Sequence, residues 1–320
     1  MKSQSTTRKL VGMIVVNDDS ARAIRLALGA FLFVALFVSA SKAQQRTFVS
    51  GLGTDSNPCS RIAPCRTFTQ ALSLTNAGGE VVVLDSAGYG AFAITKAVTV
   101  QAPPGVYAGI SVFSGDGISI NAGGTDTVIL RGITVNNQGS NGNGIAFNTG
   151  GPLHVEGCVL NGFASGTGLL FGNVGTLELK DSSARGNGIG VLLVGSATVA
   201  IDNVRLEGNS FGLQAEDGSK VTVSNSLASN NSTGFDALSH GSDVQLNIEG
   251  CVVTNNAFDG IVAESMQMTG VATVRVSNST VTDNGTGFDN HSSVLLSRGN
   301  NTLEGNSTNT NGTIGSYTAK

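Results

Sequence analysis

The chain has 320 residues, of which 44 are glycine, 12% are charged and none is tryptophan. Its mean hydropathy of +0.14 is too high for an intrinsically disordered chain, and its wealth of glycine and other turn formers is atypical of a helical domain. β-Branched residues and turn formers dominate, so the composition favours an all-β repeat protein.

The first 43 residues are predicted to form a signal peptide. Arg22 and Arg25 precede an apolar run at 26–38, and the small residue Ala43 suits cleavage before Gln44. The apolar run is short for a membrane span. This segment predicts export to the periplasm, the cell surface or the medium. The polar stretch before the arginines is long for a leader, so Met13 is an alternative start to Met1.

The exported chain is predicted to be acidic. Residues 1–43 hold six basic and two acidic residues, so the 18 basic and 22 acidic residues of the whole chain become 12 and 20, a net charge of −8. An acidic surface repels phosphate backbones, so nucleic acid is not an expected partner. An acidic polysaccharide would need a basic patch or a bridging metal ion.

Residues 44–80 are predicted to cap the N-terminal end of the domain. A loop is followed by a short amphipathic helix around Thr67 to Leu74, which would cover exposed strand edges. Cys59 and Cys65 lie six residues apart in this loop, a spacing that suits a disulfide in an oxidising compartment. No CxxC motif or histidine cluster points to zinc.

A nine-residue phrase recurs along the rest of the chain. It begins with an aliphatic residue, has a second aliphatic or alanine at its sixth position, and usually ends in Asn. The copies start at Leu130, Val155, Leu179, Ile201, Val223, Ile248 and Val276, with a weaker copy at Arg298. Successive copies are 22 to 28 residues apart. A Gly followed by an apolar residue comes after each phrase, which predicts at least two short strands per repeat.

This period has two main interpretations. Leucine-rich repeats would need a helical convex side, which the Gly-apolar pattern does not provide. A right-handed parallel β-helix fits better, because every coil must present the same inward shape to its neighbours. We predict a single solenoid of about ten coils over 81–306, followed by a polar tail at 307–320 that frays.

The chain resembles secreted bacterial right-handed parallel β-helix proteins of the pectin-lyase-like superfamily. The resemblance rests on the Cys59 and Cys65 cap, the segment "GGEVVVLDSAGYG" at 78–90 and the stacked phrase strands. It implies the all-β solenoid fold with an N-terminal capping helix. The superfamily contains pectate lyases, polygalacturonases, alginate epimerases, phage tailspikes and non-enzymatic adhesins, so the resemblance implies no single activity.

The two other cysteines are predicted to be buried free thiols. Cys158 and Cys251 both occupy the fourth position of the phrase, four coils apart. Coils stack about 4.8 Å apart, so the two residues would lie about 19 Å from each other. That distance exceeds the reach of a disulfide.

The outward residues of the phrase strand include the first candidate site. Under the superfamily resemblance, Arg131 or Lys180 would serve as the base of a lyase and neighbouring carboxylates would bind calcium. The alternative is a ladder of alternating charges between stacked strands. His154 beside Glu178 is interpreted as a surface pair in preference to an acid–base couple.

A second candidate pair lies on the strand after the phrase. Asp236 and Asp289 share a register two coils apart with Val262 between them, which predicts a separation of about 10 Å. This is just beyond the carboxylate spacing of inverting glycosidases. The alternative is that alternation simply places a polar residue on the outer face here.

The function predicted from the sequence is an exported module that contacts polysaccharide or a partner without a recognisable catalytic site. Polygalacturonase-type motifs are missing, and few aromatic residues are available to stack on sugar rings. The alternatives are a lyase, hydrolase or epimerase acting on acidic polysaccharide, and a spacer without a ligand. No cofactor or metal site is predicted, calcium being supported by no ligand cluster, and we expect a monomer.

Overall fold

The computed structural model describes residues 44–267 and 269–318. The predicted signal peptide, 1–43, lies outside the described residues. Between Gln44 and Ser316 the chain forms 32 short strands and one helix, α1 (Phe68–Leu74). Every pair of neighbouring strands is parallel, and the strands stack in three sheets that we name sheets 1, 2 and 3.

Sheet 1 has twelve strands and carries the start of each repeated phrase. Its strands, in stacking order, are β1 (Gln44–Val49), β2 (Thr75–Val83), β5 (Val98–Gln101), β8 (Val128–Arg131), β11 (Leu153–Glu156), β14 (Gly175–Lys180), β17 (Ala197–Asp202), β20 (Lys220–Ser224), β23 (Val244–Glu249), β26 (Ala272–Ser277), β29 (Val294–Ser297) and β32 (Ile314–Ser316).

Sheet 2 has ten strands, most of three residues, which hold the second half of the phrase. They are β3 (Ala87–Gly90), β6 (Ala108–Val112), β9 (Ile133–Asn137), β12 (Val159–Asn161), β15 (Ser183–Arg185), β18 (Arg205–Glu207), β21 (Leu227–Ser229), β24 (Val252–Thr254), β27 (Thr280–Thr282) and β30 (Thr302–Leu303).

Sheet 3 also has ten strands and carries the Gly-apolar pattern that follows each phrase. They are β4 (Phe92–Ile94), β7 (Ile118–Asn121), β10 (Ile145–Thr149), β13 (Thr167–Phe171), β16 (Ile189–Leu193), β19 (Phe211–Glu216), β22 (Thr233–Ser239), β25 (Asp259–Ser265), β28 (Thr286–His291) and β31 (Thr308–Asn311). The chain visits sheets 1, 2 and 3 in turn ten times. It is therefore a parallel β-helix, which confirms the predicted fold.

The phrase recurs because it encodes two of the three turns of each coil. Its third residue has a positive φ in all seven strong copies, for example Asn203 at 53° and Gly250 at 61°. Its eighth residue has a positive φ in six of the seven and in the weak copy, for example Asn230 at 56°. Gly, Asn and Asp adopt this left-handed conformation at the lowest cost, so these residue types recur where the backbone bends.

The Asn at the ninth position of the phrase has a different role, which its recurrence in the sequence did not reveal. These residues are buried and form a ladder along the solenoid; they are Asn187, Asn209, Asn231, Asn256 and Asn284. Each backbone N–H donates to the side-chain oxygen of the next Asn at 2.9 to 3.1 Å. The ladder pairs polar backbone groups at the turn between sheets 2 and 3, where burial would otherwise be costly.

The interior of the solenoid is a continuous apolar column. Val, Ile and Leu from all three sheets stack in register, and Phe147 lies flat on Phe171 with ring centroids 4.2 Å apart. Cys158 and Cys251 are buried and free, as predicted. Burial raises the pKa of both thiols to about 11, so each acts as a small unreactive side chain in the core.

Helix α1 closes the N-terminal end of the column. The side chain of Thr67 caps it by accepting from the backbone N–H of Gln70. Phe68 packs on Phe92 with ring centroids 4.5 Å apart. Cys59 and Cys65 form the predicted disulfide. Among the described residues, no helix has the length and apolarity that a bilayer crossing requires.

The two ends of the solenoid extend further than the sequence suggested. Strand β1 pairs with β2 and so adds a sheet 1 strand before α1. At the other end, β31 pairs with β28 and β32 with β29. The segment expected to fray, 307–320, therefore contributes two strands to the solenoid. Threonine and asparagine in β31 pair through their backbones, which hydropathy does not reveal.

Candidate functional site

The outer face of sheet 1 carries paired charges. Arg131 Nε donates to Glu156 at 2.7 Å, and His154 Nδ1 lies 2.8 Å from a Glu178 carboxylate oxygen. The hydrogen bond from Arg131 outweighs burial and holds the pKa of Glu156 below its ordinary value. Lys180 lies in register between Glu156 and Asp202. The arrangement matches the alternating charge ladder.

A pocket of about 510 Å³ opens beside this ladder, lined in part by Arg131, Glu156 and Asp181. The contact with Glu156 raises the pKa of Arg131 above its already high ordinary value. A guanidinium held in its charged form is a poor proton acceptor. The contact therefore disfavours Arg131 as a base, and catalytic roles for Arg131, Lys180 and His154 stay predictions.

The outer face of sheet 3 carries a more enclosed site, which we name the acidic pocket. It has a volume of about 320 Å³ and is lined by Phe211, Thr233, Asp236, Asp259, Val262, Glu264 and His291. Val262 lies between Asp236 and Asp289 in the register of β22, β25 and β28. The structure thus brings the predicted Asp236 and Asp289 to opposite sides of one apolar residue.

Alternation predicts solvent-facing carboxylates at these positions, but both side chains are buried. Asp236 is 3% exposed and Asp289 is 6% exposed. All seven residues of β22 are buried, on its outer as well as its inner face. The stacked neighbours Gln214, Val262 and Asn311 lie in the same column and cover the carboxylates from adjacent coils. Alternation in the sequence shows to which face of the sheet a side chain points. It does not show whether residues of neighbouring coils shield that side chain, so it could not predict this burial.

The two carboxylates have different partners. Gln214 Nε2 donates to Asp236 Oδ2 at 2.9 Å, while Asp236 Oδ1 has no hydrogen-bond partner among the described residues. Asp289 accepts from Asn311 Nδ2 at 2.9 Å, and His291 Nε2 lies 2.8 Å from its other oxygen. Asp289 is therefore held by two side chains, and Asp236 by one.

Burial and crowding make the acidic pocket unusual electrostatically. Burial raises the pKa of Asp236 to about 6, and the charges of Glu264, Glu216 and Asp259 act in the same direction. Burial and the charge of Asp289 also raise the pKa of Asp259. A carboxyl group with a pKa near 6 can donate or accept a proton near neutral pH.

Metal binding has no assembled ligand set in the residues that the structure describes, since no three His, Cys, Asp or Glu side chains converge as a metal site would require. Asp236 and Asp289 lie two coils apart, about 10 Å. Calcium ligands contact the ion at about 2.3–2.6 Å. These two carboxylates therefore cannot hold one ion together.

A third feature lies on sheet 2, which we name the glycine strip: Gly88, Gly90, Gly109 and Ser111, with the exposed rings of Tyr107 and Phe113. Tyr107 is 49% exposed and Phe113 is 72% exposed. Phe113 lines a pocket of about 430 Å³ with Gly88, Gly90 and Ser111. The low aromatic content of the sequence counted against sugar binding, so this surface was not predicted. The signal was the aromatic residue at each end of β6.

The Tyr107 ring is fixed in place. A Cβ atom on Gly109 would lie only 2.6 Å from a ring carbon of Tyr107, so the absence of a side chain there lets the ring lie on the strand. Asn136 Nδ2 donates to the Tyr107 hydroxyl at 2.8 Å. The ring is therefore preorganised, with one face on the protein.

Comparison with known proteins shows the fold. Residues 116–267 match the family model described as right handed beta helix region. Pectate lyase Pel9A superposes with a TM-score of 0.61 at 18% identity, over 85% of this chain and 79% of that one. The chain is a right-handed parallel β-helix. This is the fold that the resemblance implied.

Other solved structures align less closely. The Azotobacter vinelandii mannuronan C-5 epimerase AlgE6 A-module gives a TM-score of 0.43 at 18% identity, over 86% of this chain and 89% of that one. A rhamnogalacturonan lyase gives 0.40 at 13% identity, over 79% of this chain and 82% of that one. No curated protein sequence matches the chain significantly.

Proposed function

We propose that this β-helix is an exported polysaccharide-binding protein and that the glycine strip contacts the glycan. The observation that carries the proposal is the pair of exposed rings, Tyr107 and Phe113, at the two ends of β6. Sugar rings present apolar faces that stack on aromatic side chains. Pectate lyase Pel9A, which shares the fold, is named for action on a polysaccharide.

The strip has the shape and chemistry of a glycan track. Gly88 and Gly90 leave the backbone open, because a Cβ atom at either would meet nothing closer than 3.8 Å. Beyond them, Asn136 and Asn161 extend the same column of sheet 2, with Asn161 Nδ2 donating to Asn136 Oδ1 at 3.1 Å. Amides offer donors and acceptors for hydroxyl groups. Tyr107 and Phe113 come immediately before and after β6, so a glycan lying along this strand would stack on both exposed rings.

The first test is binding to soluble polysaccharides. We expect residues 44–320 to be retarded in native gels that contain a bound glycan, with xylan, pectate and chitosan as the panel. Tyr107→Ala and Phe113→Ala should each weaken binding about fivefold, since a lost stacking contact is worth about 1 kcal/mol. Tyr107→Phe keeps the ring and should bind like the wild type.

The control is Ile62→Ala, because Ile62 is a 95% exposed apolar residue that does not line the pocket of the strip. Retardation that is unchanged in both aromatic variants would rule out the strip as the glycan contact. The same incubations are to be followed for new reducing ends and unsaturated uronates. Turnover would replace the binding proposal with the enzyme alternative and direct mutagenesis to Asp236 and Asp289.

A further inference from the structure

The acidic pocket holds negative charge that the protein does not neutralise. Five carboxylates occupy β19, β22, β25 and β28 around it: Glu216, Asp236, Asp259, Glu264 and Asp289. Among residues 44–267 and 269–318, no lysine or arginine nitrogen lies within 4 Å of any of their oxygens, and the one ion pair joins Asp289 to His291. Asp236 and Asp289 are the buried members, and only Asp289 has a charged partner. Since buried charges are normally paired, Asp236 points to a cation supplied from outside.

A second, independent observation distinguishes Asp236 from the rest of the cluster. Asp236 is 97% buried, and its Oδ1 is a buried oxygen without a partner although the residue lines the pocket. An unpaired buried acceptor costs about 1–3 kcal/mol, more when it is charged. Less than 1 Å² of this oxygen is accessible, so a donor bound in the pocket would reach it after a rotation of the carboxyl group, whose other oxygen Gln214 holds.

We propose that the acidic pocket binds a protonated amine of an amino sugar, as one unit of a polysaccharide chain. The amine would donate to Asp236 Oδ1, and Val262 and Phe211 would face the apolar side of the ring. A cation beside an aromatic ring is further stabilised by the ring quadrupole. The choice of an amino sugar over another amine rests on the proposed function. The volume of about 320 Å³ suits one sugar unit.

Electrostatics also predicts what the pocket rejects. Uronate carboxylates would add a sixth negative charge to the cluster, so polyuronates are disfavoured. An N-acetylated sugar has the same ring but a neutral amide, and it would leave the carboxylates uncompensated. Charge on the nitrogen is therefore the feature that the pocket selects.

The test compares glucosamine with N-acetylglucosamine, as monosaccharides and as tetramers, by NMR titration and calorimetry at pH 6.5. We expect the charged sugar to bind at least tenfold more tightly than its acetylated counterpart. Asp236→Asn should remove most of that preference. Glu304→Gln removes one exposed carboxylate from the last coil and should leave it unchanged. Equal binding of the two sugars, or a preference that survives in Asp236→Asn, would overturn the inference.

The pH dependence provides a second readout. Asp236 must be ionised to hold the amine, so affinity should fall as pH drops through about 6, and this fall should flatten in Asp236→Asn. The other titratable groups are Glu216, Asp259 and Glu264, whose charges act on Asp236, with His240 beside Glu216 and with Asp289 and His291 beside Asp259. Affinity for glucosamine that rises on acidification would contradict the proposal.

Tyr107→Ala separates this inference from the proposed function. If the amine preference and its loss in Asp236→Asn persist in the Tyr107→Ala background, the acidic pocket binds the amine whether or not the glycine strip contacts the glycan. If Tyr107→Ala weakens all glycans alike and no amine preference exists, the strip is supported and the pocket inference fails.

Discussion

Adjacent asparagines in the repeat perform different work. Asn230 has a φ of 56° and is exposed, so its side chain matters little and its backbone conformation matters most. Asn231 is 3% exposed, and its Nδ2 donates to Leu206 O at 2.9 Å and to Asn256 Oδ1 at 3.0 Å. Residue type alone does not distinguish the two positions.

Substitution by glycine separates the two roles. Asn230→Gly should change the free energy of unfolding by less than about 1 kcal/mol, because glycine adopts a positive φ freely. Asn231→Gly should cost about 3 kcal/mol, because it leaves the backbone N–H of Asn209 and the carbonyl of Leu206 buried without partners. Urea denaturation measures both. Asn255→Gly and Asn256→Gly repeat the comparison one coil later, and equal costs within either pair would refute the ladder's energetic role.

At the scale of elements, α1 is the part of the fold whose loss has the largest consequence. Phe68 is 1% exposed and contacts both Phe92 and Tyr89, with ring centroids 4.5 and 5.3 Å apart. The helix covers the first coil, whose apolar interior would otherwise meet water. An uncovered end of parallel strands can also pair with another chain.

Phe68→Ala should therefore destabilise the cap by about 3–5 kcal/mol. We expect a lower thermal midpoint and concentration-dependent association in light scattering, since both the core and the strand edge become accessible. Ser73→Ala on the exposed side of α1 is the matched control and should melt like the wild type. A Phe68→Ala variant that melts normally and stays monomeric would show that the disulfide loop alone closes this end.

Elements were predictable from the sequence to the extent that they repeat. The phrase and the Gly-apolar pattern predicted at least two stacked strands per repeat, because stacking requires the same kind of residue at the same place in each coil. The structure divides the phrase between sheets 1 and 2. Strand β31 was missed since its sequence, "TNTN", buries nothing. It pairs because β28 beneath it offers unpaired backbone groups.

At the scale of the whole molecule, the sequence predicted the solenoid more completely than it predicted the candidate sites. Asp236 and Asp289 were found from their register, yet their burial depends on Gln214 and Asn311, which come from neighbouring coils. Glu264 and His291 join the pocket in the same way, from strands separated by a whole repeat. Such sites depend on contacts between coils, and one repeat read alone does not contain them.

Ionisation of Asp236 in the acidic pocket should lower the free energy of unfolding of the whole protein at neutral pH. The pKa of Asp236 is about 6 in the folded chain, against about 3.9 for an unfolded aspartate. Between these values the folded state binds more protons than the unfolded state, so stability falls as pH rises from about 4 to about 6 and stays lower above that. The penalty reaches about 3 kcal/mol at most.

Asp236→Asn keeps an acceptor for Gln214 and removes the charge. We therefore expect it to raise the free energy of unfolding by up to about 3 kcal/mol at pH 7.5 and to change it little at pH 4. Urea denaturation of both proteins at the two pH values gives the difference. Asp55 and Asp85 have lowered pKa values and act with the opposite sign at lower pH, but their effect is common to both proteins and cancels. An equal loss of stability at both pH values would mean that Asp236 serves the fold as a hydrogen-bond partner. Stabilisation confined to neutral pH would mean that the fold tolerates a costly charge, which is the expected property of a residue retained for binding.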